Sequence, residues 1–203
     1  MYRHNSEADT MIESSARRIL KTLNGSWHTR AVFLLFAIVV AHWGEHVMQA
    51  YQVYVRHWSL PHAHGGIGLL FPWLVTSEWL HFGYVGGILA GLALLRPGFA
   101  GRSRAWWNAA LAIQAWHVME HTLLLGQAML GHNLFGAPVP TSLVQLLIPR
   151  LELHLFYNAI GLIPMVMGLF YHLSPPVGER PASCRCAHSK VLWARASLKP
   201  TNT

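Results

Sequence analysis

The chain has 203 residues, of which 53% are hydrophobic and only 11% are charged. Soluble globular domains carry about 25% charged residues, so this composition excludes an ordinary water-soluble fold and favours a bilayer as the solvent. The net charge of +7 does not indicate nucleic acid, because the basic residues flank apolar stretches instead of forming one basic surface.

Residues 1–26 are polar and precede the first apolar stretch. Within them, residues 11–23 have the pattern of a short amphipathic helix on the membrane surface, and we expect the remainder to be mostly disordered. No small-residue cleavage site follows a short apolar region, so the first span is predicted to stay in the membrane instead of being removed as a signal peptide.

Four apolar segments of more than 20 residues follow within residues 27–173. They cover about residues 31–55, 67–95, 105–131 and 146–172. Each is long enough to cross about 30 Å of hydrocarbon as a helix, which predicts an all-α membrane protein with a four-helix transmembrane bundle. Pro72 and Pro149 lie in the first turns of their spans, where proline is tolerated, and Pro164 predicts a kink in the fourth.

The second half of the chain looks like a repeat of the first. "AHWGEHVM" in the first span and "AWHVMEHTL" in the third share His-x-x-Glu-His, 75 residues apart. "LLFPWLVTSEWLHFGY" and "LLIPRLELHLFYN" share Leu-Leu-x-Pro and Leu-His-x-x-Tyr. We therefore predict two similar helical hairpins related by a pseudo-twofold axis along the membrane normal.

The basic residues predict the orientation of these hairpins. They concentrate in the amino-terminal segment, in the connection between the second and third spans, and in a basic tail at residues 174–203 that we expect to be disordered. The positive-inside rule then places both termini in the cytoplasm. Gly83, Gly87 and Gly91 on the second span are typical of close helix packing and mark a candidate homodimer contact.

Ionisable side chains gather at one depth inside the apolar spans. Residues three and four apart share a helix face, and the carboxylates lack an obvious cationic side-chain partner, because the only intramembrane Arg candidate, Arg150, lies near the outer end of the fourth span. Because an unpaired charge in the bilayer costs several kcal/mol, we predict that a bound metal compensates for them. The candidate ligands are His42, Glu45, His46, Glu78, His81, His117, Glu120, His121 and His154, with Glu152 and Asn158 fitting less well.

Carboxylate and imidazole groups without thiolate suit iron, manganese or zinc. These candidate ligands are more than one ion needs, so we predict two ions, with iron as the preferred metal. The pairs His42/His46 and His117/His121 resemble the histidine boxes of membrane di-iron desaturases and hydroxylases, and "EWLH" from Glu78 is similar to ferritin-like di-iron carboxylate sites. The resemblance covers these short motifs only.

If the ions are iron, the expected function is that of a membrane oxidoreductase. It would activate oxygen or transfer electrons on a lipid-soluble substrate, such as an acyl chain, a hydrocarbon or a quinone, with a redox partner. Three alternatives stay open: a haem electron carrier, a metal-ion or proton transporter, and Glu–His hydrogen bonds that only hold helices together. The only cysteines, in "CRCAH" at residues 184–188, provide no disulfide framework and are a weak signal for a soft metal.

Overall fold

A computed structural model of the protein describes residues 3–179 together with Cys184 and Cys186, with side chains from Glu13 onward. The regular secondary structure of these described residues is entirely helical, without strands, and most of the predicted disordered tail lies outside them. The helices are α1 (Arg3–Leu23), α2 (His28–Tyr54), α3 (Ile67–Leu70), α4 (Pro72–Thr76), α5 (Glu78–Leu95), α6 (Gly101–Leu130) and α7 (Arg150–Leu173). Short 3-10 turns occur at Leu60–His62, Arg96–Gly98, Leu134–Gly136 and Val144–Leu146.

Three helices in the described part of the chain are long and apolar enough to cross a membrane. They are α2, α5 with the turn that extends it to Gly98, and α7. The third predicted span lies in α6, which has 30 residues but carries Arg102 and Arg104 in its first turn and is more polar along its length. A spanning role for α6 therefore stays a prediction.

The structure corrects the predicted continuous second span. Residues 67–95 are divided into α3, α4 and α5, because the backbone leaves the helical conformation at Phe71 and again at Ser77. A proline disfavours the helical conformation in the residue before it, which explains the break at Phe71. Ser77 then caps α5, since its hydroxyl oxygen accepts a hydrogen bond from the Leu80 amide at 3.4 Å.

Two other boundaries differ from the sequence prediction. The helix in the amino-terminal segment, α1, begins at Arg3 and not near residue 11. The last long helix begins at Arg150, directly after Pro149, because proline has no amide to donate and is well suited to a helix start. Pro164 lies inside that helix, where the sequence predicted a kink.

Helices α2, α5, α6 and α7 contact one another in a ring. Helix α6 packs against α5 and α7, and α2 packs against α7 and α5. At one end of the ring, the Asn24 side chain donates to the Leu94 carbonyl at 2.9 Å and accepts from the Gly98 amide at 2.8 Å. We call this the basic end, because the end of α1, the start of α6 and the end of α7 meet there with most of the described basic residues.

The apolar core fills the half of the bundle next to the basic end. It comprises Val32, Leu35, Val39, Ile88, Leu92, Leu95, Phe99, Trp107, Ala110 and Met165. Trp107 is fully buried, stacks on Phe99 with ring centroids 4.0 Å apart, and donates from Nε1 to the Leu92 carbonyl at 2.8 Å. The core therefore sets the spacing of the helices next to the half of the bundle that carries the predicted histidine ligands.

The glycine run on α5 is used partly within the chain. A Cβ at Gly91 would lie 3.0 Å from the Leu35 side chain, so Gly91 allows α2 to approach α5 closely. Gly83 and Gly87 are exposed, with open space where a side chain would lie. The homodimer contact predicted for these glycines stays a prediction.

We predict that Trp107→Ala lowers the free energy of unfolding by about 3–5 kcal/mol, because it leaves a large cavity in the packed core. The measurement is reversible denaturant unfolding in mild detergent, followed by circular dichroism. Trp106→Ala is the matched control, since Trp106 is exposed and its loss should change stability by less than about 1 kcal/mol. Equal destabilisation by the two variants would contradict this description of the core.

Candidate metal centre

The structure brings the six histidines of the predicted site together, in the half of the bundle away from the basic end. The centroids of neighbouring imidazole rings lie 4.5 to 6.4 Å apart. His42 is half-buried and the other five are buried: His46, His81, His117, His121 and His154. Four separate helices supply these rings, so the cluster exists only when the bundle is assembled.

His117, His121 and His154 form the more tightly enclosed part of the cluster, which we call the second trio. One nitrogen from each ring lies within 4.8 Å of the others. Nδ1 of His154 donates to the Arg150 carbonyl at 2.6 Å, which leaves its Nε2 with a lone pair. Within the described part of the chain, that Nε2, Nε2 of His117 and Nδ1 of His121 are buried without a hydrogen-bond partner.

His42, His46 and His81 form the first trio. Nδ1 of His46 lies 2.8 Å from the Gln49 side-chain oxygen, and its Nε2 lies 3.1 Å from Nε2 of His42. Nδ1 of His81 donates to the Ser77 carbonyl at 3.1 Å, which leaves Nε2 as its acceptor atom. These contacts set the tautomer and the direction of each ring, as second-layer hydrogen bonds do in metal sites.

The two trios share two kinds of contact. His81 and His154 each donate from Nδ1 to a carbonyl four residues earlier, at Ser77 and Arg150. Each trio also places a histidine ring against a tyrosine ring, at 4.1 Å for His42 and Tyr84 and at 4.8 Å for His117 and Tyr157. The matched residues are those that the sequence repeat pairs.

The predicted carboxylate ligands Glu45 and Glu120 are engaged by loop backbone. Glu45 accepts from the amides of Gly66 at 2.7 Å and Ile67 at 3.0 Å. Glu120, which is buried, accepts from the Val144 amide at 3.0 Å. Each glutamate therefore holds a connecting loop against the helix that carries a histidine pair, while still lining the space beside its own trio.

The other predicted ligands lie outside the imidazole cluster. Glu78 pairs with Arg150 at 2.6 Å, which corrects the expectation that the carboxylates have no cationic partner. Glu152 accepts a hydrogen bond from the Tyr54 hydroxyl. Asn158 donates to the His154 carbonyl at 2.7 Å, within α7. The residues that converge are therefore histidines, and the carboxylates surround them.

Sequence reasoning missed two glutamines that complete the loop contacts. Gln52 donates to the Gly65 carbonyl at 3.0 Å and accepts from the Gly65 amide at 2.9 Å. Gln127 makes the same pair of bonds with Thr141, at 2.9 and 3.2 Å. Each glutamine follows its glutamate by two helical turns, and the same 75-residue offset that pairs the histidines would have found them.

A partly open cavity of about 480 Å³ lies beside the first trio. Its other lining is largely apolar and includes Ile38, Ile67, Leu74, Val75 and Leu80. The corresponding space beside the second trio is only about 10 Å³. A further partly open cavity of about 520 Å³ is lined by His46, His81 and His154 together, so both trios border open space, and the two halves differ in the space beside Glu45 and Glu120.

Comparison with protein-family models, curated proteins and solved structures finds no match to this chain. The geometry of the site is therefore the basis for proposing a function. Buried imidazoles whose ring nitrogens lie close together are suited to binding metal ions, and an apolar cavity beside them is suited to a lipophilic molecule.

We predict that Glu45→Ala frees the connection between α2 and α3, because the Gly66 and Ile67 amides lose a charged acceptor worth about 1.5–3 kcal/mol. Hydrogen exchange at these amides should become faster, as should proteolysis between residues 56 and 66. Glu152→Ala, which removes a glutamate whose hydrogen bond within the described residues is to the Tyr54 hydroxyl, should leave both rates unchanged. Unchanged exchange in Glu45→Ala would show that this carboxylate does not hold the loop.

Proposed function

We propose that this protein is an integral membrane metalloprotein whose six clustered histidines hold two metal ions for redox chemistry on a lipid-soluble substrate. The observation that carries the proposal is the second trio, where His117, His121 and His154 each bury a nitrogen that lacks a hydrogen-bond partner in the described structure. A buried polar atom left unpaired costs about 1–3 kcal/mol. One ion that accepts all three lone pairs would remove these costs together.

Iron is the ion that we propose first. Imidazole suits iron, copper, zinc and nickel, and carboxylate favours iron or manganese over copper. Glu45 lines the same cavity as the first trio, and Glu120 lines the small space beside the second. One carboxylate beside each trio would also offset the charge of a bound cation in the low-dielectric interior.

Copper is the second candidate, and a specific observation favours it. The carboxylate oxygens of Glu45 and Glu120 are already bonded to backbone amides, so the inner set available to an ion is dominated by imidazole. Two ions held mainly by neutral imidazole nitrogen fit copper better than manganese. Elemental analysis separates these possibilities directly.

The cavity beside the first trio supports a lipophilic substrate. Its apolar lining and its partial opening between α2 and α5 suit an acyl chain, a hydrocarbon or a quinone that arrives laterally from the bilayer. His42 and His46 line this space, so an ion held by the first trio would face the substrate. Such an oxidoreductase would need a redox partner.

The proposal includes a four-span bundle of two similar hairpins, with both termini in the cytoplasm. The repeated histidine, tyrosine, glutamate and glutamine contacts support the two hairpins. The positive-inside rule supports the orientation, because the end of α1, the start of α6 and the end of α7 meet at one end of the bundle. In this arrangement α1 lies on the inner membrane surface.

We expect detergent-purified protein, prepared without chelators, to contain about two iron or copper ions per chain and to show no Soret band. His121→Ala should lose at least one ion, because it removes a ligand from the enclosed trio. His62→Ala is the matched control, since that histidine is exposed in a loop and bonds only to Ser59 within the described structure. A Soret band would assign the site to haem, and absence of tightly held metal would leave an ion or proton path as the better account.

We also predict that Leu74→Trp fills the cavity beside the first trio and reduces binding of a spin-labelled fatty acid without changing the metal content. Leu74 lines the cavity but contributes no ligand atom, so a larger side chain should exclude the acyl chain sterically. Val166→Trp, at an exposed position that lines neither this cavity nor the one bordered by His46, His81 and His154, serves as the control. If Leu74→Trp binds the fatty acid as the wild type does, this cavity is not the substrate site.

A further inference from the structure

A second group of metal-binding side chains lies at the basic end, far from the histidine cluster. His28 begins α2, His172 lies in the last turn of α7, and Cys184 and Cys186 follow α7. All four are buried, with exposed fractions of 0%, 1%, 1% and 8% in that order. One donor atom from each lies within 4.8 Å of the others.

The hydrogen bonds of His28 direct it towards the cysteines. Its Nε2 donates to the Leu95 carbonyl at 3.1 Å, so its Nδ1 carries a lone pair and lies 3.7 Å from the Cys186 sulfur. A histidine that donates one nitrogen to a backbone carbonyl and presents the other to an ion is the usual arrangement in metal sites. A Cβ at Gly98 would overlap the His28 ring, so glycine is required there for the ring to take this position.

His172 completes the group from the other side. Its Nε2 lies 3.4 Å from the Cys184 sulfur, and within the described structure its Nδ1 is buried without a hydrogen-bond partner. The His28 and His172 rings contact each other edge to face at 4.9 Å, and both rest against Phe99. The four side chains therefore lie buried at the basic end of the apolar core.

We infer that His28, His172, Cys184 and Cys186 form a second, structural metal site that binds a zinc-class divalent cation when the two cysteines are reduced. Two imidazoles and two thiolates are a common tetrahedral set for zinc, and zinc–ligand lengths of about 2.0–2.3 Å place the ligand atoms about 3.3–3.8 Å apart. The present spread, within 4.8 Å, needs only small side-chain adjustments to reach these values.

The structure contains the oxidised form of the pair, in which Cys184 and Cys186 share a disulfide. A dithiol reductant would open it by thiol–disulfide exchange: the sulfur–sulfur bond breaks, two electrons and two protons pass to the cysteines, and the reductant becomes a disulfide. Binding of the cation then releases the two thiol protons. The cytosol keeps such thiols reduced, so the proposed cytoplasmic position of this end favours the metal-bound form.

The site would join the start of α2 and the end of α7 to the segment that follows α7. His28 lies 14 residues before His42, about 21 Å along α2, so the two metal sites share no ligand. The second site does not depend on the function proposed for the histidine cluster. Its thiolates also give it a spectroscopic signature that a site of imidazole and carboxylate cannot produce.

The test uses the full chain in detergent, reduced with a phosphine under anaerobic conditions and titrated with cobalt(II). We expect a thiolate-to-cobalt charge-transfer band that saturates at one ion per chain and is displaced by zinc. Cys184→Ser and His172→Ala should lose the band. His121→Ala should keep it, which separates failure at this site from failure of the histidine cluster.

A second measurement protects the test against variants that fail to fold. In the reduced wild type, zinc should slow alkylation of Cys184 and Cys186, and the unreduced protein should show neither alkylation nor the cobalt band. The inference is overturned if a thiol assay finds both cysteines reduced while no thiolate band appears. Equal alkylation rates with and without zinc would overturn it as well.

Discussion

Burial of imidazole nitrogen in an apolar bundle is the constraint on which this structure depends. Every buried ring has two polar atoms, and the protein satisfies one of them in His81 and His154 with a carbonyl from the preceding turn. The nitrogens left over converge across helices, and three of them lack a partner in the described structure. Because unpaired buried polar atoms are expensive, this convergence is best explained by a ligand that binds them at once.

Glutamates, glutamines and tyrosines around the six histidines hold this histidine layer in place. In each half, a glutamate next to the second histidine of the pair and a glutamine two turns further along the helix bind the loop backbone, so the loops close over the cluster without placing their own polar groups inside it. Tyr84 and Tyr157 stack against the His42 and His117 rings on the side nearer the basic end. Both halves use this scheme, yet the cavity of about 480 Å³ beside Glu45 has no counterpart of that size beside Glu120.

The apolar core connects the histidine layer to the Cys/His group at the basic end. Trp107 and Phe99 stack in its centre, and Phe99 also contacts His28 and His172. A rigid core of this kind fixes the spacing of α2, α5, α6 and α7 at both of its ends. Two chemically distinct groups of ligands can therefore be positioned by a single packed layer of side chains.

The sequence by itself determined the helical class, the membrane character and the histidine layer, because apolar length and the spacing of three and four residues depend only on local helix geometry. It also indicated the repeat, since His42/His46 and His117/His121 carry the same motif. Local spacing cannot show which partner a side chain meets across the bundle. Only the tertiary structure directed Glu45 and Glu120 to loop amides and Glu78 to Arg150, and only it broke the second span at Phe71. It likewise brought His28 to His172 and the cysteines, because residues more than 140 positions apart meet only through packing of α2 against α7.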